Sequence, residues 1–167
     1  RACGGTTQRF LSLGQQPLPN RFLTEAFKLV EPEPRYPLEL YFCPGCTLVQ
    51  LGATVPPEDL FSHYLFASST STTTRRHFAE LAAHLKKDFH VEPGATVVDI
   101  ASNDGILLQA WRDLGVAAIG VEPAENLCGL AWTKGLTTLN EFFTRETVGK
   151  IGPESAHLVT AINVVAH

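Results

Sequence analysis

The fold of this chain is decided by Val97-Val98-Asp99-Ile100-Ala101-Ser102-Asn103-Asp104-Gly105. Its apolar first half predicts a buried strand over 96–101, and the small and polar residues after that strand predict a turn. Gly105 closes the turn and leads into a helical pattern. A strand, a glycine-bearing turn and a helix in this order are typical of a doubly wound α/β sheet, whose ligands bind outside the carboxyl ends of the strands.

The sequence after this turn alternates between helical and strand patterns. The predicted helices span 106–114, 124–134 and 144–151, and the predicted strands span 116–121, 136–139 and 157–163. The last of these helices has Thr144 as its N-cap candidate, with Phe143 and Val148 placed for a hydrophobic staple. This alternation predicts βαβ units on a parallel sheet.

The residues before the first predicted strand differ in composition. Residues 75–89 carry apolar side chains at helical spacing, and several N-cap candidates lie in 68–74. The first 60 or so residues hold most of the prolines and three of the four cysteines. We therefore predict turns and short strands there, with a domain boundary between about 61 and 75.

Three cysteines predict a metal site. Cys43-Pro44-Gly45-Cys46 lies between two strand-like runs, so it is expected at the tip of a hairpin. Structural zinc takes four ligands in a tetrahedron, and Cys3 is available as a third ligand. The fourth is expected to be a cysteine just before Arg1. The alternative is a free Cys3 beside a redox pair, although a thioredoxin-like C-x-x-C should begin a helix. Cys128 is expected to be a small buried residue.

The predicted organisation is therefore α/β, with a small zinc-binding β-rich module followed by the first half of a Rossmann-like parallel sheet. The expected parts are a zinc-binding module over 1–62, a linker and leading helix over 63–95, and a ligand-binding half-domain over 96–167.

The turn after the first strand also indicates the class of ligand. It lacks the G-x-G-x-x-G pattern of dinucleotide sites, and Asp104 would repel a diphosphate. Such a turn suits a cationic, phosphate-free nucleotide such as S-adenosylmethionine. Glu122 ends the second strand about 20 residues further on, where it could accept hydrogen bonds from both ribose hydroxyls. The alternative is that Glu122 only caps the helix that begins after Pro123.

The fourth predicted strand ends near the same crevice. Asn163 and His167 could there meet the methyl donor or the acceptor, and His167 is a candidate general base. The alternative is a histidine with no role beyond the surface or the core.

Composition excludes several classes of partner. The 13 Lys and Arg against 17 Asp and Glu give a net charge of −4, and two short basic pairs make no basic face for nucleic acid. No apolar run approaches the roughly 20 residues of a membrane span, and no signal segment opens the chain. We expect a cytoplasmic protein without membrane partners. Because methionine is absent and the last residues stop inside an apolar stretch, we interpret the chain as an excerpt.

The chain resembles the sugar C-methyltransferases that act on nucleotide-linked deoxysugars in antibiotic pathways. The stretches that carry this resemblance are Cys3-Gly4, 13–23, 36–40, 43–51, 64–71, 98–105, 120–124 and 161–167. The resemblance implies a zinc-binding domain, a methyltransferase domain and a further C-terminal α/β domain, of which this chain lacks the last and part of the second. It implies methyl transfer from S-adenosylmethionine to a sugar carbon next to a keto group, after a base removes a proton.

Residue roles also follow from the resemblance. Tyr64 and 68–71 are expected to line the cleft between the two modules, with Tyr64 and His167 as catalytic candidates; a capped loop is the alternative for 68–71. The resemblance implies that Asp99, Ser102, Asp104, Gly105 and Glu122 hold the methyl donor. Their neighbours Ala101, Asn103 and Pro123, and Asn163 at the end of the fourth predicted strand, are expected to bind it as well. The substrate is expected to be a small molecule, a dTDP-linked keto-deoxysugar, and the catalytic base to lie in the C-terminal half.

Two other functions remain open from the sequence. One is a methyltransferase with an oxygen, nitrogen or carrier-bound acceptor. The other is a non-catalytic zinc-ribbon interaction module beside a degenerate nucleotide-binding fold. The pairing of the 99–105 turn with Glu122 favours a working donor site over a degenerate one.

Overall fold

The chain divides into two compact units, residues 1–60 and residues 61–167. The computed structural model describes residues 1–19 and 33–165. The expected division at 62 and 95 stays a prediction.

The first unit is built on an antiparallel sheet. Within its described residues, strands β1 (Gln8–Pro17), β2 (Arg35–Phe42) and β3 (Val49–Leu51) lie in the order β1-β2-β3, and a short helix α1 (Pro57–Phe61) follows. Phe42 is paired with Val49, so the chain between these strands forms the tip of a hairpin. The predicted hairpin around Cys43 and Cys46 is confirmed.

The second unit contains the alternating elements. They are α2 (Thr72–Asp88), β4 (Thr96–Ile100), α3 (Ile106–Asp113), β5 (Ala117–Val121), α4 (Glu125–Thr133), β6 (Thr137–Leu139), α5 (Arg145–Ile151) and β7 (Leu158–Thr160). In the described part of this unit, the strands form a four-stranded sheet in the order β6-β5-β4-β7, with every pair parallel. The predicted α/β sheet is confirmed. The strand order reverses beside β4, which is where ligands bind in open sheets of this kind.

Apolar packing fixes α3 against the sheet. The side chains of Leu107 and Trp111 are fully buried, and they belong to one cluster with Val97 of β4 and Ala82 of α2. A second cluster contains Leu108 of the same helix. Because α3 is held on both sides, its first turn stays close to the carboxyl end of β4, where the loop 101–105 enters it.

The helix starts agree with their sequence signals. The Thr144 hydroxyl accepts a hydrogen bond from the N–H of Thr147, and the Thr147 hydroxyl accepts one from the N–H of Thr144, so α5 has a reciprocal cap. Ser71 caps α2 by accepting from the N–H of Thr74 at 3.4 Å. This capping role is the alternative that the sequence left open for part of 68–71.

The fourth predicted strand is wrong in its extent. It was expected over 157–163, but β7 ends at Thr160 and the chain then turns. Asn163 has a φ of 55°, a left-handed conformation that asparagine tolerates better than most residues and that no strand contains. None of the helices among the described residues is both long and apolar enough to cross a bilayer.

Candidate functional site

The loop between β4 and α3 has an unusual backbone. Ala101, Asn103 and Gly105 all have positive φ values, of 52°, 54° and 79°. At Gly105 the conformation coincides with tight packing, because a Cβ there would lie 2.5 Å from Cδ1 of Leu136. The left-handed conformation favours glycine at 105, and a larger residue would also have to displace the Leu136 side chain.

Glu122 is fixed by main-chain donors on both of its oxygens. Oε2 accepts from the N–H of Asn103 at 2.8 Å, and Oε1 accepts from the N–H of Ala124 at 2.9 Å. The side chain is buried, and burial raises the pKa of the Glu122 carboxyl while the two N–H groups oppose that rise. Each carboxylate oxygen keeps a second lone pair for a ligand. The capping role of Glu122 and a ligand-binding role are therefore compatible.

The main-chain N–H groups of residues 102–105 are all engaged within the protein. Ser102 donates to the Val121 carbonyl at 3.3 Å, and Gly105 donates to the Ser102 carbonyl at 3.0 Å. Asn103 donates to Glu122, and Asp104 donates to Oδ1 of Asn103 at 2.9 Å. A diphosphate-binding turn needs free N–H groups at the start of its helix. Residues 102–105 have no free main-chain N–H group to offer.

Asp99 lies inside the sheet at the end of β4. Its Oδ1 accepts from the hydroxyl of Thr160 on β7 at 2.6 Å. Burial raises the pKa of Asp99 to about 7, the Thr160 hydroxyl opposes the rise, and the charge of Glu122 adds to it. Asp99 therefore connects the two strands between which the sheet order reverses.

The Ser102 side chain is buried against the neighbouring strand, β5. Its hydroxyl has no hydrogen-bond partner among the described residues. A Cβ at Gly120 of β5 would lie 2.3 Å from that hydroxyl oxygen, so glycine alone allows the loop to approach this closely. An unpartnered buried hydroxyl costs free energy of folding.

Asp104 faces cationic and hydroxyl partners. It is almost fully buried and forms an ion pair with Lys134, whose Nζ lies 3.1 Å from Oδ2. The Ser69 hydroxyl also donates to Oδ2, and the N–H of Ser69 donates to Oδ1 at 3.3 Å. Asp104 thus binds the segment before α2, and its charge is compensated by Lys134.

The remaining predicted site residues differ in their exposure and in their place in the fold. Tyr64 is half-buried, and its main-chain N–H and carbonyl are bound by Asn126. Ala101 and Pro123 are partly buried in the loops after β4 and β5, and Asn163 is exposed in the turn after β7. His167 lies outside the described residues. Sequence reasoning missed Asn126 and Lys134, whose main-chain partners leave no sequence pattern.

The three cysteines of the first unit are close together. The Sγ atoms of Cys3, Cys43 and Cys46 all lie within 4.8 Å of one another, and those of Cys3 and Cys43 are 3.6 Å apart. Tetrahedral zinc with Zn–S bonds of about 2.3 Å puts its sulfur ligands about 3.8 Å apart. Three soft thiolate ligands at this spacing fit a zinc ion, with one position left for a further ligand.

Hydrogen bonds already favour a thiolate in this cluster. The N–H of Cys46, then the thiols of Cys3 and Cys46, lower the pKa of Cys43 to about 7. The N–H of Leu48 lowers the pKa of Cys46, but the thiols of Cys3 and Cys43 outweigh it and raise that pKa. A lowered pKa at Cys43 favours the thiolate form that binds a metal.

Comparison with known proteins gives two sequence matches. Residues 1–61 match a family model described as "Putative zinc binding domain". The chain is also 31% identical over 137 residues to C-methyltransferase NovU of Streptomyces niveus, which covers 81% of this chain and 33% of that protein. The chain therefore spans about a third of the length of this relative.

Solved structures share smaller regions. A SAM-dependent methyltransferase from Geobacter sulfurreducens in complex with S-adenosyl-L-homocysteine is 18% identical, with a TM-score of 0.41 over 65% of this chain and 44% of that one. A SAM-dependent methyltransferase from Thiobacillus denitrificans, also with S-adenosyl-L-homocysteine, is 21% identical, with a TM-score of 0.38 over 52% of this chain and 37% of that one. Similarity at this level assigns neither a ligand nor an activity to this chain.

Proposed function

We propose, on the premise of its relationship to a C-methyltransferase and to a zinc-binding domain, that this chain is the zinc-binding and donor-binding part of an S-adenosylmethionine-dependent C-methyltransferase. The observation that carries the proposal is the loop 102–105, whose N–H groups are all engaged, beside the fixed carboxylate of Glu122. This site lies at the carboxyl ends of β4 and β5.

The chemistry of the loop favours a nucleotide without phosphate. A diphosphate would find no free N–H group on residues 102–105 and would face the negative charge of Glu122. A ribose, in contrast, carries two hydroxyl donors that match the second lone pairs of Oε1 and Oε2. A cationic group nearby would be stabilised by the same carboxylate. S-Adenosylmethionine combines a ribose, a positive charge and no phosphate.

The bound donor would supply a methyl group made electrophilic by its sulfonium charge. The proposed acceptor is a carbon next to the keto group of a dTDP-linked deoxysugar, because a proton at that carbon becomes acidic when the enolate oxygen is stabilised. Tyr64 and His167 are the candidates in this chain for contact with the acceptor. The residues proposed to hold the donor are Asp99, Ala101, Ser102, Asn103, Asp104, Gly105, Glu122, Pro123 and Asn163.

The zinc ion would have a structural role. Cys3, Cys43 and Cys46 are proposed to hold it, and a tetrahedral site closed by a fourth ligand beside these three thiolates would leave no open position for chemistry. A small β-rich module with little apolar core gains most of its stability from such a staple.

The test is a methyl-transfer assay with the full-length protein. Its reagents are S-adenosylmethionine carrying a carbon-13 methyl group and a dTDP-linked keto-deoxysugar. NMR separates a methyl group on carbon from one on oxygen, and an O-methyl sugar serves as the standard. A new C-methyl signal is expected. An O-methyl signal would contradict carbon as the acceptor, and failure to bind S-adenosylhomocysteine would contradict both methyltransferase readings and favour a non-catalytic module.

A further inference from the structure

Two asparagines hold the main chain of residues 64–69, the strap, which precedes α2. Asn126, in the first turn of α4, accepts from the N–H of Tyr64 at 3.1 Å and donates to the Tyr64 carbonyl at 2.7 Å. Asn103, in the loop after β4, accepts from the N–H of Ser68 at 2.8 Å and donates to the Phe66 carbonyl at 2.9 Å. Each amide supplies the donor and the acceptor that a neighbouring strand would otherwise offer.

Charged side chains hold the end of the strap. The buried carboxylate of Asp104 accepts from the N–H and the hydroxyl of Ser69, and Arg75 donates to the Ser69 carbonyl. Lys134 binds both Asp104 and Ser69: its Nζ lies 3.1 Å from Oδ2 of Asp104 and 3.3 Å from the Ser69 hydroxyl. The strap is therefore bound at its beginning, middle and end.

Burial of apolar side chains does not explain this position. Leu65 is 48% exposed and Phe66 is 59% exposed, so the strap contributes little apolar surface to the core. Asn103, Asp104 and Asn126, in contrast, belong to the loop and the helix start at the carboxyl ends of β4 and β5. This is the edge of the sheet that carries Glu122.

Asn103 is shared by the strap and by Glu122. Its main-chain N–H donates to Oε2 of Glu122, and its side chain binds Phe66 and Ser68. A ligand on Glu122 that stabilises this conformation of Asn103 therefore also stabilises the strap. By the same linkage, a loosened strap must be ordered again before the ligand can bind, and that ordering weakens the apparent affinity.

We propose that Asn103 and Asn126 are positioning residues that hold residues 64–69 as one wall of the donor site, with Asn103 coupling this wall to Glu122. The inference rests on the proposed function, because the ligand in question is the methyl donor. It adds a specific role for two asparagines and for the strap. The two asparagines bind the main chain of the strap and not its side chains.

The first test uses Asn126→Ala in the full-length protein, because the described hydrogen bonds of the Asn126 side chain are both with Tyr64. Hydrogen exchange of the amides of 64–69 is expected to accelerate, and the Kd for S-adenosylhomocysteine, measured by calorimetry, is expected to rise about tenfold. Asn126→Asp keeps the acceptor for the Tyr64 N–H but places a carboxylate oxygen against the Tyr64 carbonyl, so it should also accelerate exchange and raise the Kd. Asn140→Ala is the exchange control, because Asn140 binds the carbonyls of Glu122 and Pro123 and not the strap.

The second test asks whether the two asparagines act through the same wall. Asn103→Gly removes both side-chain bonds to the strap, together with the Oδ1 that accepts from the N–H of Asp104. Glycine tolerates the positive φ at this position and keeps the N–H for Glu122. If the strap acts as a unit, the Kd of the double variant should be close to that of the weaker-binding single variant, rather than the product of both effects.

Each outcome decides between the claims. Unchanged exchange of the strap in Asn126→Ala would contradict the hold on the main chain. Faster exchange in Asn126→Ala, with a Kd within twofold of that of the unchanged protein, would contradict the positioning role. A double variant whose rise in Kd equals the product of the two single-variant rises would contradict the shared wall. If the unchanged protein itself does not bind S-adenosylhomocysteine, the proposed function fails, and this inference fails with it.

Discussion

The main-chain N–H of Asn103 donates to Oε2 of Glu122 at 2.8 Å, joining the loop after β4 to the first position after β5. The N–H of Ala124 holds the other carboxylate oxygen. A carboxylate held in this way has a defined position before any ligand arrives. Such preorganisation is what a site for a small polar ligand requires.

Glu122→Gln is expected to weaken binding of S-adenosylhomocysteine at least tenfold. The amide places an NH₂ group against one of two N–H donors, and it removes the charge that would attract a cation. Calorimetric titration measures the effect, and Glu125→Gln, at an exposed position in the first turn of α4, is the matched control. Equal affinity of Glu122→Gln and the unchanged protein would remove Glu122 from the donor site.

Gly120→Ala is expected to lower the free energy of unfolding by about 1–3 kcal/mol. Its Cβ would lie 2.3 Å from the Ser102 hydroxyl and 2.7 Å from Cδ1 of Leu108, so the loop would have to move. Gly149→Ala is the control, because Gly149 lies inside α5 and, apart from its chain neighbours and its own helix backbone, no atom lies within 4 Å of its Cβ position. This variant should be neutral or stabilising. Denaturant unfolding monitored by circular dichroism checks both, and a tolerated alanine at 120 would show that the contact of loop and strand is loose.

Cys43→Ser and Cys46→Ser are each expected to lose the bound metal. Mass spectrometry of metal content should find one zinc per chain in the unchanged protein and far less in either variant, because three thiolates are the ligands at hand. Cys128→Ser is the control and should retain zinc, because Cys128 donates to the Glu122 carbonyl in the second unit. A folded first unit without metal would contradict the structural role of the site.

The raised pKa of Asp99 predicts that the free energy of unfolding depends on pH. Its pKa is raised from 3.8 to about 7 by burial, so the folded protein holds this proton more tightly than the unfolded chain does. Its contribution to stability is therefore full below about pH 4 and is lost as the pH rises through about 7, by up to about 4 kcal/mol. Asp99→Asn should flatten this part of the profile in denaturant unfolding from pH 5 to pH 8. Asp113→Asn, at an exposed position, should leave it unchanged, and an equal slope in Asp99→Asn would contradict the assignment.

Local signals in the sequence predicted the fold well. The apolar run before Asp99, the turn closed by Gly105 and the cap at Thr144 each depend on neighbours within a few residues. The C-x₂-C hairpin is also local. The predicted end of the fourth strand was wrong because the apolar pattern in the sequence continues past Thr160. In the structure this apolar stretch is not buried, since Ile162 is 36% exposed and Val165 is 87% exposed. An apolar run alone does not mark where a strand ends.

The parts of the site that the sequence did not predict depend on distant partners. Asn126 binds the main chain 62 positions earlier, and Asn103 binds it 35 and 37 positions earlier. A side chain that binds main-chain groups requires no particular residue type at the other end, so no pair of residue types in the sequence indicates the contact. Only the fold, with β4 beside β5, brings these positions together.

The central claim is that loop 102–105 and Glu122 bind a phosphate-free nucleotide, and the most direct measurement compares two ligands. Calorimetry of the full-length protein with S-adenosylhomocysteine and, separately, with NAD⁺ keeps the adenosine constant and changes the phosphate content. The account predicts saturable binding of S-adenosylhomocysteine and none of NAD⁺ at the same concentrations. Binding of NAD⁺ without binding of S-adenosylhomocysteine would contradict it.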